Sequence, residues 1–195
     1  MKINNPRIIV ALDYNNSIQA MEFVETIDPT LCKLKVGKEL FTSCGPSFVS
    51  LLVKKGFDVF LDLKFHDIPS TVSKAVKAAS DLGVWMSNLH ASGGREMMES
   101  AKNILDKTGS EMLLVAVTVL TSFSNKDLDD IGVTYDINKQ VEELAWLSKK
   151  SSMDSVIASG IEAEMLRKIH GNDFIIVRHG ISLNSIKVED QNRIL

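Results

Sequence analysis

The sequence contains few cysteines and no long apolar run, and each shortage excludes a class of protein. Only two cysteines occur among 195 residues, Cys32 and Cys44, and they lack CxxC spacing. Neither a disulfide framework nor a thiolate metal cage is therefore indicated. Apolar stretches such as residues 112–120 are far shorter than the roughly 18 residues of a membrane span, and the first residues hold no apolar signal region. We expect a cytoplasmic protein without a membrane partner.

Basic charge is not in excess either. The chain carries 22 Lys and Arg residues against 25 Asp and Glu residues, a formal net charge of -3, which argues against a nucleic-acid partner. Hydrophobic residues make up 45% of the chain, and Pro and Gly are too few for a disordered or collagen-like protein. At roughly 150 residues per domain, this length predicts a single domain over residues 1–195.

Seven short runs rich in Val, Ile and Leu predict β-strands. Most of the intervals between them contain a stretch with helical periodicity, which is typical of repeated strand–helix units and a parallel sheet. One helix is expected to begin at Pro46 and end at Gly56. The polar segment 121–133 predicts an active-site loop followed by a small helix. The strand runs begin near Arg7, Leu31, Asp58, Met86, Leu113, Ser155 and Phe174.

Charges within the strands favour an α/β fold of the (β/α)8 TIM-barrel type over an open doubly wound sheet. Strands of an open sheet with helices on both faces read as continuous apolar runs. In the third run, by contrast, Leu61 and Leu63 alternate with Asp62 and Lys64, so one face is apolar and the other becomes charged toward the carboxyl end. In a barrel the apolar face contacts the outer helices, and the charged residues lie at the mouth, where active sites are built.

Five charged residues are predicted to converge at that mouth: Asp13, Lys35, Asp62, Lys64 and Asp67. Each would cost several kcal/mol if it were buried alone, so a purely structural protein seldom keeps such residues unless they pair. One interpretation is a set of solvated salt bridges at a loop rim. The interpretation that we favour is a Lys–Asp–Lys–Asp array that fixes an ammonium group beside an anionic substrate.

Sequence motifs cover nearly the whole chain, from about Ile8 to Gln191. They read VALDY, LKVGKELF, FLDLKFHDIPST, LHASGG and VTVLTS, and the third contains the pattern DxKxxD at Asp62, Lys64 and Asp67. With this set the chain resembles the bacterial type of orotidine 5′-monophosphate decarboxylase, a family within a larger suprafamily of barrel enzymes. The resemblance implies a (β/α)8 barrel that decarboxylates orotidine 5′-monophosphate to uridine 5′-monophosphate in pyrimidine biosynthesis.

The resemblance also implies a role for each of the central residues. Lys64 gives a proton to C6 of the pyrimidine as carbon dioxide leaves, and Asp62 lies beside the substrate carboxylate. Lys35 binds the ribose and orients Asp62, and Asp13 binds a ribose hydroxyl. The implied reaction uses no metal and no other cofactor.

The family's active sites are shared between subunits, so the resemblance implies a homodimer. Asp67 and Thr71 reach into the site of the neighbouring subunit. Ile68 is a further substrate-binding residue, and Thr121 contacts the nucleotide base.

Two departures from the family lie near the carboxyl end. The family sequence TPGIR is replaced by RHGIS at residues 178–182, so Ser182 stands where the family has a phosphate-binding arginine. Gln191 keeps its place as a phosphate ligand, and Arg178 is a candidate substitute for the lost arginine. After Leu195 the family that the chain resembles continues with a helix, an eighth strand and a second phosphate-binding Gly-Arg pair. We therefore expect the barrel to be one unit short, with unpaired edges, and the natural protein to be longer.

The residues leave three other functions open. The same suprafamily contains metal-dependent sugar-phosphate decarboxylases, which share the DxKxxD pattern. The altered segment and the missing end also allow a non-catalytic barrel that serves as a structural or dimer partner. A barrel aldolase that uses Lys64 to form a Schiff base is the third alternative.

Overall fold

Seven parallel strands form one sheet in the computed structural model, which describes residues 6–171 and 174–179. Each strand pairs with its neighbours in sequence, so the sheet order is the chain order. All seven strands predicted from the apolar runs are confirmed. They are β1 (Ile9–Ala11), β2 (Lys33–Gly37), β3 (Val59–Phe65), β4 (Met86–His90), β5 (Leu113–Val117), β6 (Ser155–Ala158) and β7 (Ile175–Arg178).

Helices follow each of the first six strands, as the periodicity predicted. Their starts are fixed by polar caps: the Asn16 side chain accepts from the N–H of Gln19, and Ser159 forms a capping box with Glu162. The helices are α1 (Ser17–Val24), α2 (Lys38–Lys54), α3 (Pro69–Asp81), α4 (Arg95–Thr108) after a short 3-10 turn (Ala91–Gly93), α5 (Asn125–Asp130), α6 (Ile137–Lys150) and α7 (Gly160–His170). None of these helices is long and apolar enough to cross a lipid bilayer.

Helix α2 begins earlier than predicted. We expected it to start at Pro46, but it starts at Lys38, directly after β2. Gly45, with φ 71° and ψ −177°, interrupts the helical backbone, and Pro46 opens the second part. Pro46 therefore marks an internal restart, and the first part of α2 brings residues 38 and 39 to the carboxyl end of the sheet.

The sheet separates two apolar layers. Val59 and Leu61 of β3 belong to the larger layer, which packs against the helices, whereas Phe60 belongs to a smaller inner layer. Ile9 of β1 and Val177 of β7 both contact the inner layer, so the sheet must curl until its first and last strands share one interior. The predicted barrel type is confirmed as a curled sheet, with β1 and β7 as its edges over the described residues. The inner layer consists of Phe60, Met86, Val115, Val117 and Ile157.

An ion pair fills the amino end of this interior. Lys33 is 3% exposed, its Nζ lies 2.6 Å from Asp58 Oδ2, and the same ammonium group stacks over the Trp85 ring at 4.2 Å. Lys33 has the same strand face as Lys35, as alternation predicted, but it lies at the opposite end of the interior. Of the two lysines of β2, Lys33 therefore forms a buried ion pair at the amino end of the barrel, and Lys35 lies at the mouth.

Candidate active site

Four charged residues meet at the carboxyl ends of β1, β2 and β3. Asp62 Oδ1 accepts a hydrogen bond from Lys64 Nζ at 2.6 Å, and Asp62 Oδ2 lies 3.6 Å from Lys35 Nζ. Lys35 Nζ in turn lies 3.5 Å from Asp13 Oδ1. We call Asp13, Lys35, Asp62 and Lys64 the mouth cluster. The expected Lys–Asp–Lys–Asp array is present in part: Lys35, Asp62 and Lys64 are in contact in that order. Its second carboxylate is supplied by Asp13 on Lys35, and not by Asp67 on Lys64.

Asp62 is the buried centre of the mouth cluster, with 3% of its surface exposed. Burial alone would raise the pKa of this carboxyl, but the charge and hydrogen bond of Lys64, a hydrogen bond from Asn88 and the charge of Lys35 outweigh burial and lower the pKa. The carboxylate is thus ionised at neutral pH. An ionised group held between two ammonium groups supplies a fixed electrostatic field at the mouth.

Lys64 has an unusual backbone conformation. Its φ is 53°, in the left-handed region that residues other than glycine seldom adopt. The pairing of β3 with β4 is also irregular here, because the register shifts between Leu61 and Phe65. Such a conformation costs about 1–2 kcal/mol, and strain of this kind is typical of functional positions. The irregular backbone thus coincides with Lys64, the central lysine of the DxKxxD motif.

An open cavity of about 240 Å³ lies over the mouth cluster and is lined by all four of its members. Tyr14, Lys38 and Glu39 line it as well; they stand in the motifs VALDY and LKVGKELF, but no site role was predicted for them. Lys38 and Glu39 could not be found from helix periodicity, because that pattern placed the start of α2 at Pro46. The cavity offers both ammonium groups and carboxylates to a polar ligand.

The fifth predicted charge, Asp67, does not join the mouth cluster of its own chain. Over the described residues, the ion pairs at the mouth connect only the other four, and the Asp67 carboxylate accepts from the N–H of Ile68 at 2.6 Å. Asp67, Ile68 and Thr71 are all exposed, at the start of α3. Thr121 lies in the turn after β5, at the same edge of the sheet. The convergence of five charges is thus corrected to four within one chain.

The side chains of β7 and of His179, which follows it, alternate between the two faces of the sheet. Ile176 packs on the helix side and Val177 on the inner layer, so alternation places Arg178 toward the helices and His179 toward the mouth. This placement argues against Arg178 as the substitute for a phosphate-binding arginine. Burial lowers the pKa of His179. The negative charge of Asp62 opposes this shift, and the positive charges of Lys64 and Lys35 add to it, so that the pKa is lowered overall. A neutral imidazole therefore faces the mouth cluster, which the motifs did not predict.

Two predicted phosphate-site positions, Ser182 and Gln191, lie outside the described residues. Within residues 6–171 and 174–179, no group of three or more His, Cys, Asp or Glu side chains is arranged to hold a metal ion.

Comparisons with known proteins give a consistent result. The family model described as "Orotidine 5'-phosphate decarboxylase / HUMPS family" matches residues 6–195. A protein of Saccharophagus degradans named orotidine 5′-phosphate decarboxylase is 50% identical over 195 residues, which cover 100% of this chain and 82% of the relative. One of the same name from Tolumonas auensis is 52% identical over 195 residues, 99% of this chain and 84% of the relative. The crystal structure of orotidine 5′-phosphate decarboxylase from Lactobacillus acidophilus has a TM-score of 0.84 and 36% identity, and covers 89% of this chain and 80% of that one.

Proposed function

Because the chain belongs to the orotidine 5′-phosphate decarboxylase / HUMPS family, we propose that it catalyses the cofactor-independent decarboxylation of orotidine 5′-monophosphate to uridine 5′-monophosphate. This carbon–carbon lyase reaction belongs to pyrimidine nucleotide synthesis, for which we propose a cytoplasmic location. The observation that carries the proposal is the contact chain of Lys64, Asp62 and Lys35 at the mouth of the barrel.

Lys64 is the proposed proton donor. The bond between C6 of the pyrimidine and its carboxylate breaks, its electron pair stays on C6, and carbon dioxide leaves. A proton from Lys64 Nζ then forms the C6–H bond of the product. The ammonium group is already held by Asp62 at 2.6 Å, so little reorganisation is needed as negative charge develops on the ring.

Asp62 makes a second contribution, which we take to be the smaller one. Two carboxylates about 4 Å apart repel each other by roughly 4 kcal/mol at an effective dielectric constant near 20, which would destabilise the bound substrate. The charge of Asp62 is, however, partly compensated by Lys64 and Lys35. Stabilisation of the developing carbanion by Lys64 therefore accounts for the larger share of catalysis in this proposal.

The remaining site residues are proposed to bind the parts of the nucleotide that do not react. Lys35 and Asp13 bind ribose hydroxyls, Thr121 contacts the base, and Gln191 binds the phosphate. Ser182 takes the position of a phosphate-binding arginine without its charge, so it can give the phosphate a hydrogen bond but no ion pair. Binding energy from such remote groups contributes to the rate when it helps to close the site over the reacting atoms.

We propose a homodimer in which Asp67, Ile68 and Thr71 complete the site of the partner. Their exposure supports this proposal: Ile68 is an apolar side chain with 64% exposed surface, and the neighbouring Asp67 carboxylate forms no ion pair within residues 6–171 and 174–179. Mixing two inactive variants, Lys64→Ala and Asp67→Asn, tests it. Random reassortment should restore about one quarter of the sites, because one site of each mixed dimer is then intact. No recovery of activity in demonstrably mixed dimers would exclude shared sites.

The decisive assay for the activity follows the loss of orotidine 5′-monophosphate absorbance in the presence of a strong chelator. Turnover that survives the chelator supports the proposed reaction. If turnover of a sugar phosphate instead appears only with an added divalent cation, the chain is a metal-dependent decarboxylase of the same family. If uridine 5′-monophosphate gives no heat of binding in calorimetry and no turnover occurs, the chain is a non-catalytic barrel.

A further inference from the structure

The pairing of β3 with β4 contains a bulge, in which several residues of β3 stand opposite a single residue of β4. Leu61 pairs with Ser87 and Phe65 pairs with Leu89, so the three residues 62–64 on β3 stand opposite Asn88 alone on β4. A regular ladder would have matched residue for residue. The backbone N–H of Lys64 therefore needs a hydrogen-bond partner other than a strand carbonyl.

The side chain of Asn88 supplies that partner and a second contact. Its Oδ1 accepts from the backbone N–H of Lys64 at 2.7 Å, and its Nδ2 donates to Asp62 Oδ1 at 2.7 Å. Asn88 is 0% exposed. The orientation of the amide is fixed by its partners, because an N–H requires the carbonyl oxygen and a carboxylate requires the NH2 group. One buried side chain thus joins both members of the Asp62–Lys64 ion pair.

We propose that Asn88 is a positioning residue for the reaction. It holds Lys64 in its left-handed conformation and holds the Asp62 carboxylate against the Lys64 ammonium group. The carboxamide offers an acceptor and a donor on two separate atoms, as these two contacts require. The catalytic consequence of this role rests on the proposed function, whereas the structural role does not.

Three variants separate positioning from a general contribution to folding. Asn88→Ala removes both contacts, and Asn88→Asp keeps the acceptor for Lys64 but replaces the donor with a carboxylate beside Asp62. Ser87→Ala is the matched control, because Ser87 is also 0% exposed and donates to the Leu61 carbonyl at 3.1 Å across the same two strands. Within the described residues its side chain forms no hydrogen bond with the mouth cluster.

Asn88→Ala should lower kcat about 10- to 100-fold with KM changed less than threefold, because misplacing a reacting group by about 1 Å has an effect of this order. Asn88→Asp should also move the acid limb of the pH profile of kcat/KM upward, because a neighbouring carboxylate raises the pKa of Asp62. Ser87→Ala should keep kcat within about twofold and leave the pH profile unchanged. The proposal is overturned if Asn88→Ala keeps kcat within threefold, or loses no more activity than Ser87→Ala.

A crystal structure of Asn88→Ala provides a readout that does not depend on turnover. We expect Lys64 to leave the positive-φ region and its Nζ to move more than 4 Å from Asp62. If the wild-type chain does not decarboxylate the nucleotide, the proposed function fails, and this structure still decides the positioning role. Retention of φ near 53° and of the 2.6 Å contact in the variant would refute that role.

Discussion

Replacing Lys64 by glycine and, separately, by alanine tests the strained backbone at the centre of the site. Both substitutions remove the ammonium group and its contact with Asp62, so they differ only in the Cβ atom. At an ordinary strand position the glycine variant is the less stable, by about 0.5–1 kcal/mol, because glycine loses more backbone entropy on folding. At φ 53° the order should reverse.

The size of the reversal follows from two opposing effects. A left-handed conformation costs a residue with a Cβ about 1–2 kcal/mol, and glycine is free of that cost. The greater entropy of glycine in the unfolded chain offsets about 0.4–1 kcal/mol of the gain. The Lys64→Gly variant should therefore be more stable than Lys64→Ala by about 0.8 kcal/mol, the difference between the midpoints of the two ranges.

Thermal and urea unfolding of the two variants, side by side in one buffer, measure this difference. For a chain of this size, about 1 kcal/mol corresponds to a difference of about 2–4 °C in Tm, so we expect a midpoint about 1–4 °C higher for Lys64→Gly. Equal urea m-values would show that the two unfolded states are comparable. A midpoint that is higher for Lys64→Ala would mean that residue 64 has ordinary strand geometry, and the strain argument would be refuted.

Three further predictions concern the charges inside the barrel. Asp62→Asn should lower kcat/KM on the order of 100-fold, because a charged hydrogen bond of about 1.5–3 kcal/mol no longer holds Lys64. The control Asp58→Asn, at the opposite end of the barrel interior, should change kcat/KM less than twofold. Equal losses in the two variants would contradict the assignment of catalysis to the carboxyl end alone. Lys33→Met removes one partner of the Lys33–Asp58 ion pair, so it should lower the free energy of unfolding by about 2–4 kcal/mol in urea titrations without affecting kcat/KM. An unchanged urea midpoint would show that this ion pair is dispensable for stability. Burial, aided by the charges of His66 and Lys38, lowers the pKa of His90 from 6.5 to about 4. The unfolded chain therefore binds more protons than the folded chain between these pH values, and the free energy of unfolding falls as the pH drops from 6.5 toward 4. His90→Asn should flatten that fall between pH 7 and 5, and parallel curves of unfolding free energy against pH for variant and wild type would contradict the prediction.

The face of each strand could be read from the sequence, because side chains alternate along a strand. Leu61 and Leu63 were expected on the helix side and Asp62 and Lys64 on the inner side, and the buried layers agree. The same alternation placed His179 on the inner face once the course of β7 was known. Curling of the sheet also followed, because strands with one apolar face and one face that becomes charged fit a barrel better than an open sheet covered on both faces.

Other features depend on contacts that no single segment encodes. The left-handed backbone of Lys64 requires the irregular register of β3 against β4, and the role of Asn88 is visible only with that register in place. Asp67 was expected among the mouth cluster because its spacing is close to Lys64. A turn stabilised by the Ile68 N–H instead directs its carboxylate elsewhere, and turn geometry of this kind is not predictable from spacing.

The kcat/KM of Lys64→Ala for orotidine 5′-monophosphate, measured beside the wild-type chain, tests most directly whether an ammonium group fixed by Asp62 performs the chemistry. We predict a decrease of at least about 1,000-fold, since both proton donation and electrostatic stabilisation are removed, with a cooperative unfolding transition retained. A folded variant that keeps activity within about tenfold of wild type would contradict the account.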